Sequence, residues 1–123
     1  MPRKILILDD EAEIRAELAE YLVRKGYEVE EAGDGIEGLR KFEAAPADLV
    51  ITDIKMPRLD GYEVIRRVRQ IDPDVPIIAI TGHFSPGDLS TAKDAGATVT
   101  MKKPLGLREL AAELKRLLEP EGK

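Results

Sequence analysis

Short aliphatic runs alternate with helical apolar spacings five times along the chain. Ile5-Leu6-Ile7-Leu8, Leu49-Val50-Ile51 and Ile77-Ile78-Ala79-Ile80 are almost wholly aliphatic, as strands covered on both faces must be. The runs near Glu28-Val29-Glu30-Glu31 and Thr98-Val99-Thr100-Met101 carry more polar residues, as sheet edges do. Between these runs the apolar residues recur at helical spacing. The first helix is predicted over about residues 11–25, with Ile14, Leu18, Tyr21 and Leu22 facing inward and Gly26 ending it. A second opens near Asp34-Gly35 and carries Ile36, Leu39 and Phe42, with Pro46 separating it from the next strand. A third follows Asp60-Gly61, with Val64, Ile65, Val68 and Ile71 inward. Ser85, Pro86 and Asp88 read as N-cap, first-turn proline and capping-box acid of a fourth. The last helix has one apolar stripe: Leu107, Leu110, Ala111, Leu114, Leu117 and Leu118.

Strand and helix in strict alternation predict an α/β fold, a doubly wound (βα)5 sandwich around a parallel five-stranded sheet. Aliphatic strands one, three and four belong in the centre, and polar strands two and five at the edges. That is the flavodoxin-like order 2-1-3-4-5. The switch point lies between strands one and three.

Composition narrows the picture. A chain of 123 residues suits a single domain over 1–123, with residues 118–123 as a frayed tail or the start of a linker. The net charge of −5 argues against nucleic acid or an anionic membrane as a partner. With no cysteine, neither disulfides nor thiolate metal sites are available. No apolar run approaches the ~20 residues of a membrane span, and Met1-Pro2-Arg3-Lys4 leads straight into a strand, so the expected location is cytoplasmic. Arg66, Arg67 and Arg69 read as the solvated face of the third helix.

The chemistry gathers where the strands end. Strand one runs into Asp9-Asp10, strand three into Asp53, strand four into Thr81, and strand five into Lys102-Lys103-Pro104. In a parallel sheet those ends share one edge, where ligands bind. Three carboxylates that close repel, so at least one should have a raised pKa, and Mg²⁺ would relieve the conflict. Asp9 and Asp10 could instead cap the first helix, but that leaves Asp53 unexplained. Asp53, alone at the end of a central strand, is the candidate nucleophile for a phosphoryl group. The metal, the Thr81 hydroxyl and one lysine ammonium would then cover the phosphoryl oxygens. Lys102 and Lys103 point to opposite strand faces, so only one can serve. Gly82 leaves room for a donor.

Four fragments, in this order and spacing, carry a resemblance. They are Ile7-Leu8-Asp9-Asp10-Glu11, Asp53-Ile54-Lys55-Met56-Pro57 with Asp60-Gly61, Ile80-Thr81-Gly82, and Gly96-Ala97 through Lys103-Pro104. Together they resemble the receiver domain of two-component response regulators, the CheY-like family, across essentially the whole chain. The resemblance implies that Asp53 accepts a phosphoryl group from a phosphohistidine on a histidine kinase or histidine phosphotransfer protein, with Mg²⁺ required (Mn²⁺ can substitute). It assigns the metal to Asp10, Asp53 and the backbone carbonyl of Lys55, with Asp9 helping directly or through water. It picks Lys103 over Lys102, and implies a cis peptide before Pro104. It makes Lys55, Gly82 and His83 modulators of phosphoryl lifetime. It also implies a monomer or weak homodimer that meets a protein target through the face of the fourth helix, fifth strand and fifth helix.

One position departs from the family. Receivers usually carry Tyr or Phe three residues before the Lys, and here that switch position is Thr100. The expectation is that Thr81 and the loop after it, with Phe84 as the nearest aromatic, carry the signal instead. Two other functions compete. A haloacid-dehalogenase-type phosphatase also uses a strand-end Asp, but it needs a second Asp two residues later, where this chain has Lys55. A pseudo-receiver that binds partners without phosphorylation would not need the intact acidic set. Nucleotide binding lacks a GxGxxG or P-loop pattern.

Overall fold

The computed structural model describes residues 2–82 and 86–119, the side chain of Pro86 excepted. Its elements are β1 (Lys4–Leu8), α1 (Ala12–Arg24), β2 (Glu28–Ala32), α2 (Gly35–Ala44), β3 (Leu49–Asp53), α3 (Gly61–Ile71), β4 (Ile77–Thr81), α4 (Pro86–Ala95), β5 (Val99–Lys102) and α5 (Leu107–Leu118). The strands pair in parallel in the order β2-β1-β3-β4-β5, as their composition predicts. Aliphatic β1, β3 and β4 are central because both of their faces are covered.

Successive strand residues face opposite sides of a sheet, and that alternation divides the core in two. Ile5 and Ile7 of β1, Leu49 and Ile51 of β3, and Ile78 and Ile80 of β4 pack against α1 and α5. Leu6, Leu8, Val50, Ile77 and Ala79 pack on the other side against α2, α3 and α4. Gly38 lets α2 lie directly on β1, since a Cβ there would overlap the Leu8 side chain.

The helix starts follow from local chemistry. Asp34 caps α2 by accepting from the Glu37 N–H at 2.8 Å, and Asp60 caps α3 by accepting from the Glu63 N–H at 3.0 Å. Gly26, at φ +100°, turns the chain out of α1 in the left-handed region that favours glycine. Ser85, expected as the cap of α4, lies outside the described residues, and so do His83, Phe84 and residues 120–123.

Three expected core residues are instead exposed. Ile14, Ile71 and Leu107 keep 44%, 42% and 42% of their surface. Each sits in a terminal turn of its helix, where the period still points it inward but burial is incomplete. Arg69 departs in the other direction. It is half-buried rather than solvated, with Nε donating to the Gly96 carbonyl at 3.0 Å and Nη2 to the Thr98 hydroxyl at 3.2 Å. Its guanidinium ties α3 to the loop before β5, while Arg66 and Arg67 remain on the surface.

The two apolar classes should behave differently on truncation. Phe42→Ala, at a fully buried position, is expected to cost about 3–5 kcal/mol in urea unfolding. Ile71→Ala should cost less than about 1 kcal/mol. Similar losses at both positions would contradict the burial described.

Candidate functional site

Strand register levels the chain ends that carry the chemistry. Leu8 pairs with Thr52, Asp53 with Ile80, and Thr81 with Lys102. Asp9, Asp53 and Thr81 are buried and Asp10 is exposed. One carboxylate oxygen from each of Asp9, Asp10 and Asp53 lies within 4.8 Å of the others. The Lys103 ammonium donates to Asp53 Oδ2 at 2.6 Å and to Glu11 Oε1 at 3.0 Å, and lies 3.7 Å from Asp9 Oδ2. Lys102, next in sequence, is exposed. The Lys103 N–H donates to the Thr81 carbonyl at 2.9 Å, and the Lys103–Pro104 peptide is cis.

Neither Asp9 nor Asp10 caps α1. The N-cap is Glu11, without a side-chain cap bond, and Asp9 Oδ1 accepts from the Glu11 N–H at 2.9 Å. The acids therefore face one another across the sheet edge.

A close approach shapes the other wall. Gly61 opens α3 with its N–H donating to the Ile54 carbonyl at 2.7 Å. A Cβ there would come within 2.7 Å of Ile54 Cα and overlap the Asp53 carbonyl. The loop between holds Lys55, whose N–H reaches toward Asp53 Oδ1 at 3.4 Å. Asp10, Lys55, Tyr62, Thr81 and Asp88 line an open cleft of about 610 Å³ beside the acids.

Burial pushes the Asp9 carboxyl above its ordinary value, against the Glu11 N–H and the Lys103 charge, which lower it. The Asp53 charge adds to the rise but is not its main cause. The expected conflict is thus chiefly one of desolvation. Burial opposes the Lys103 charge too, but its bonds to Asp53 and Glu11 outweigh that and hold its pKa above the usual lysine value. Hard carboxylate oxygens, one of them exposed, suit a divalent cation such as Mg²⁺.

The chain matches the model of the response regulator receiver domain over residues 5–115. It belongs to the receiver family of two-component response regulators. It is 41% identical over 118 residues to "Response regulator MprA" of Mycobacterium sp. (strain KMS), covering 96% of this chain and 51% of that protein. The chain thus spans about half the length of the curated relatives it matches. Among solved structures it is similar to chemotaxis protein CheY4 of Vibrio cholerae, with TM-score 0.90 and 35% identity over 95% of this chain and 99% of that one. A CheY-like receiver domain protein from Methanospirillum hungatei JF-1 gives TM-score 0.93 and 33% identity, covering 97% of this chain and 95% of that one.

Within this receiver, Thr100 is half-buried on β5 and pairs with Ala79. Gly82 is exposed, and a Cβ there would meet nothing within 4 Å. Among the described residues no helix is long and apolar enough to cross a membrane. Sequence reasoning missed Glu11 as a partner of Lys103. The signal was its place directly after Asp9-Asp10, but only the fold brings Lys103 back across 92 positions. It also missed the hydrogen bond from the Tyr62 hydroxyl to Asp88 at 3.3 Å, which joins α3 to α4.

The raised Asp9 pKa has a sign that can be checked. The folded receiver holds this proton more tightly than the unfolded chain, so the group's contribution to stability falls as pH rises from 3.8 through the folded value. Asp9→Asn keeps an oxygen for the Glu11 N–H. It is expected to raise the metal-free melting temperature at pH 7 and to flatten that part of the pH profile. A variant that melts below wild type at pH 7 would refute this account.

Proposed function

We propose that this receiver accepts a phosphoryl group on Asp53 from the phosphohistidine of a histidine kinase or histidine phosphotransfer protein, and changes its binding to a target protein in response. The observation that carries this reading is the Lys103 ammonium 2.6 Å from Asp53, with two further carboxylates beside that acid. An Asp53 oxygen attacks phosphorus in line. The new O–P bond forms as the donor's P–N bond breaks, and the electron pair leaves with the imidazole, which takes up a proton.

Phosphoryl transfer depends on positioning and on neutralising charge at the equatorial oxygens. Lys103 covers one of these oxygens and the Thr81 hydroxyl a second, as preorganised donors. Asp9, Asp10, Asp53 and the Lys55 carbonyl would hold Mg²⁺, or Mn²⁺ in its place. When bound, the cation offsets the acidic charge and that of the remaining phosphoryl oxygen. Gly82 leaves the approach open, and Lys55 and His83 tune how long the acyl phosphate lasts. The receiver is an acceptor rather than a turnover enzyme, since the modified carboxylate is its own product.

Thr100 cannot act as a moving ring. The signal therefore runs from Thr81 through the segment containing Phe84 to the face made by α4, β5 and α5, where the target binds. Incubation with acetyl phosphate and Mg²⁺ is expected to add one labile phosphoryl group by intact mass, absent without the metal and in Asp53→Asn. Lys103→Ala should slow its formation by roughly 100-fold. No adduct under any condition would indicate a pseudo-receiver. Sustained phosphate release from other phosphomonoesters would indicate a phosphatase.

A further inference from the structure

Asp10 contributes an oxygen to the acidic cluster, yet among the described residues no hydrogen bond holds its carboxylate. Its direction is set through the main chain, and the contacts there are specific. The Asp9 N–H donates to the Ala32 carbonyl at 3.1 Å. The Asp9 carbonyl, which belongs to the Asp9–Asp10 peptide, accepts from Arg15 Nη1 at 2.6 Å. Arg15 lies one turn into α1, and its Nε donates to Glu31 Oε1 on β2 at 3.0 Å. The guanidinium is therefore gripped from the sheet side while it grips the peptide between the two acids. Gly33 makes room for it: a Cβ there would stand 3.3 Å from Arg15 Nη1.

We infer that Arg15, braced by Glu31 and seated over Gly33, is a positioning residue that fixes the Asp9–Asp10 peptide so that both carboxylates face Asp53. This rests on the reading of that cluster as a divalent-cation site. Arg15 touches no reacting atom. Its action passes through the carbonyl of Asp9.

Simple electrostatics makes the opposite prediction. Removing a cation beside an anionic site should tighten binding of a second cation. If Arg15 positions the acids, its removal should weaken binding, because groups that orient ligands typically contribute ~10-fold or more to metal affinity. The sign separates the two.

The measurement is calorimetric titration of the whole chain with Mg²⁺ alone, beside metal-free melting temperatures. Arg15→Ala is expected to bind Mg²⁺ about 10-fold more weakly. Gly33→Val keeps the charge but crowds the guanidinium, and should weaken binding in the same direction by a smaller factor. Equal or tighter binding by Arg15→Ala overturns the inference, even if that variant melts lower, because a purely structural role would change stability alone. Should Arg15→Ala fail to fold, Gly33→Val decides by the same criterion. If wild type binds no divalent ion, the metal-site reading and this inference both fail. If wild type binds and the variants bind equally well, only this inference fails.

Discussion

Negative charge crowded at the carboxyl edge of the sheet is the constraint around which the rest is arranged. Asp9 and Asp53 are buried there, and Asp10 stands beside them. Buried carboxylates need compensation, and Lys103 supplies part of it from the end of β5 through contacts to Asp53, Glu11 and Asp9. One ammonium set against several carboxylates leaves negative charge over. That imbalance makes the edge receptive to a further cation, while burial makes the ionised form of Asp9 harder to reach.

Bringing these groups together takes the whole sheet. Asp9 and Asp53 arrive on adjacent central strands, and Lys103 follows the edge strand on the far side of β4. Small local permissions complete the approach. Gly61 lets α3 start against the Asp53 backbone, and Gly38 lets α2 settle on β1. Asp34 and Asp60 start their helices at the places where the loops must turn. Capping, packing and site geometry thus agree, which is the consistency expected of a sequence that specifies one fold.

The pattern reading succeeds where periodicity and burial coincide and fails where they part. Leu110, Leu114 and Leu118 are buried as the stripe predicts, whereas Leu107, on the same stripe, is exposed. Period reports which way a side chain points, not whether anything faces it. Arg69 failed for the converse reason. A charged residue in a basic run reads as solvated, but its guanidinium reaches a carbonyl on a loop 27 positions away. Glu11 belongs to the same class, since its partner Lys103 lies 92 positions away. Arg15 holds a carbonyl only 6 positions back, but a contact from a charged side chain to the main chain leaves no trace in the apolar period.

By itself the sequence determined the alternation of elements, the order of the strands and the residues at the strand ends, because those follow from hydrophobic period, aliphatic content and position in the chain. It also carried the family resemblance, through four short motifs in order. Only the tertiary structure decided that Lys103 also meets Glu11, which main-chain carbonyl Arg15 holds, and that desolvation rather than repulsion chiefly raises the Asp9 pKa. Those outcomes depend on distances between groups brought together by folding, and on how much water remains around them, neither of which is encoded locally.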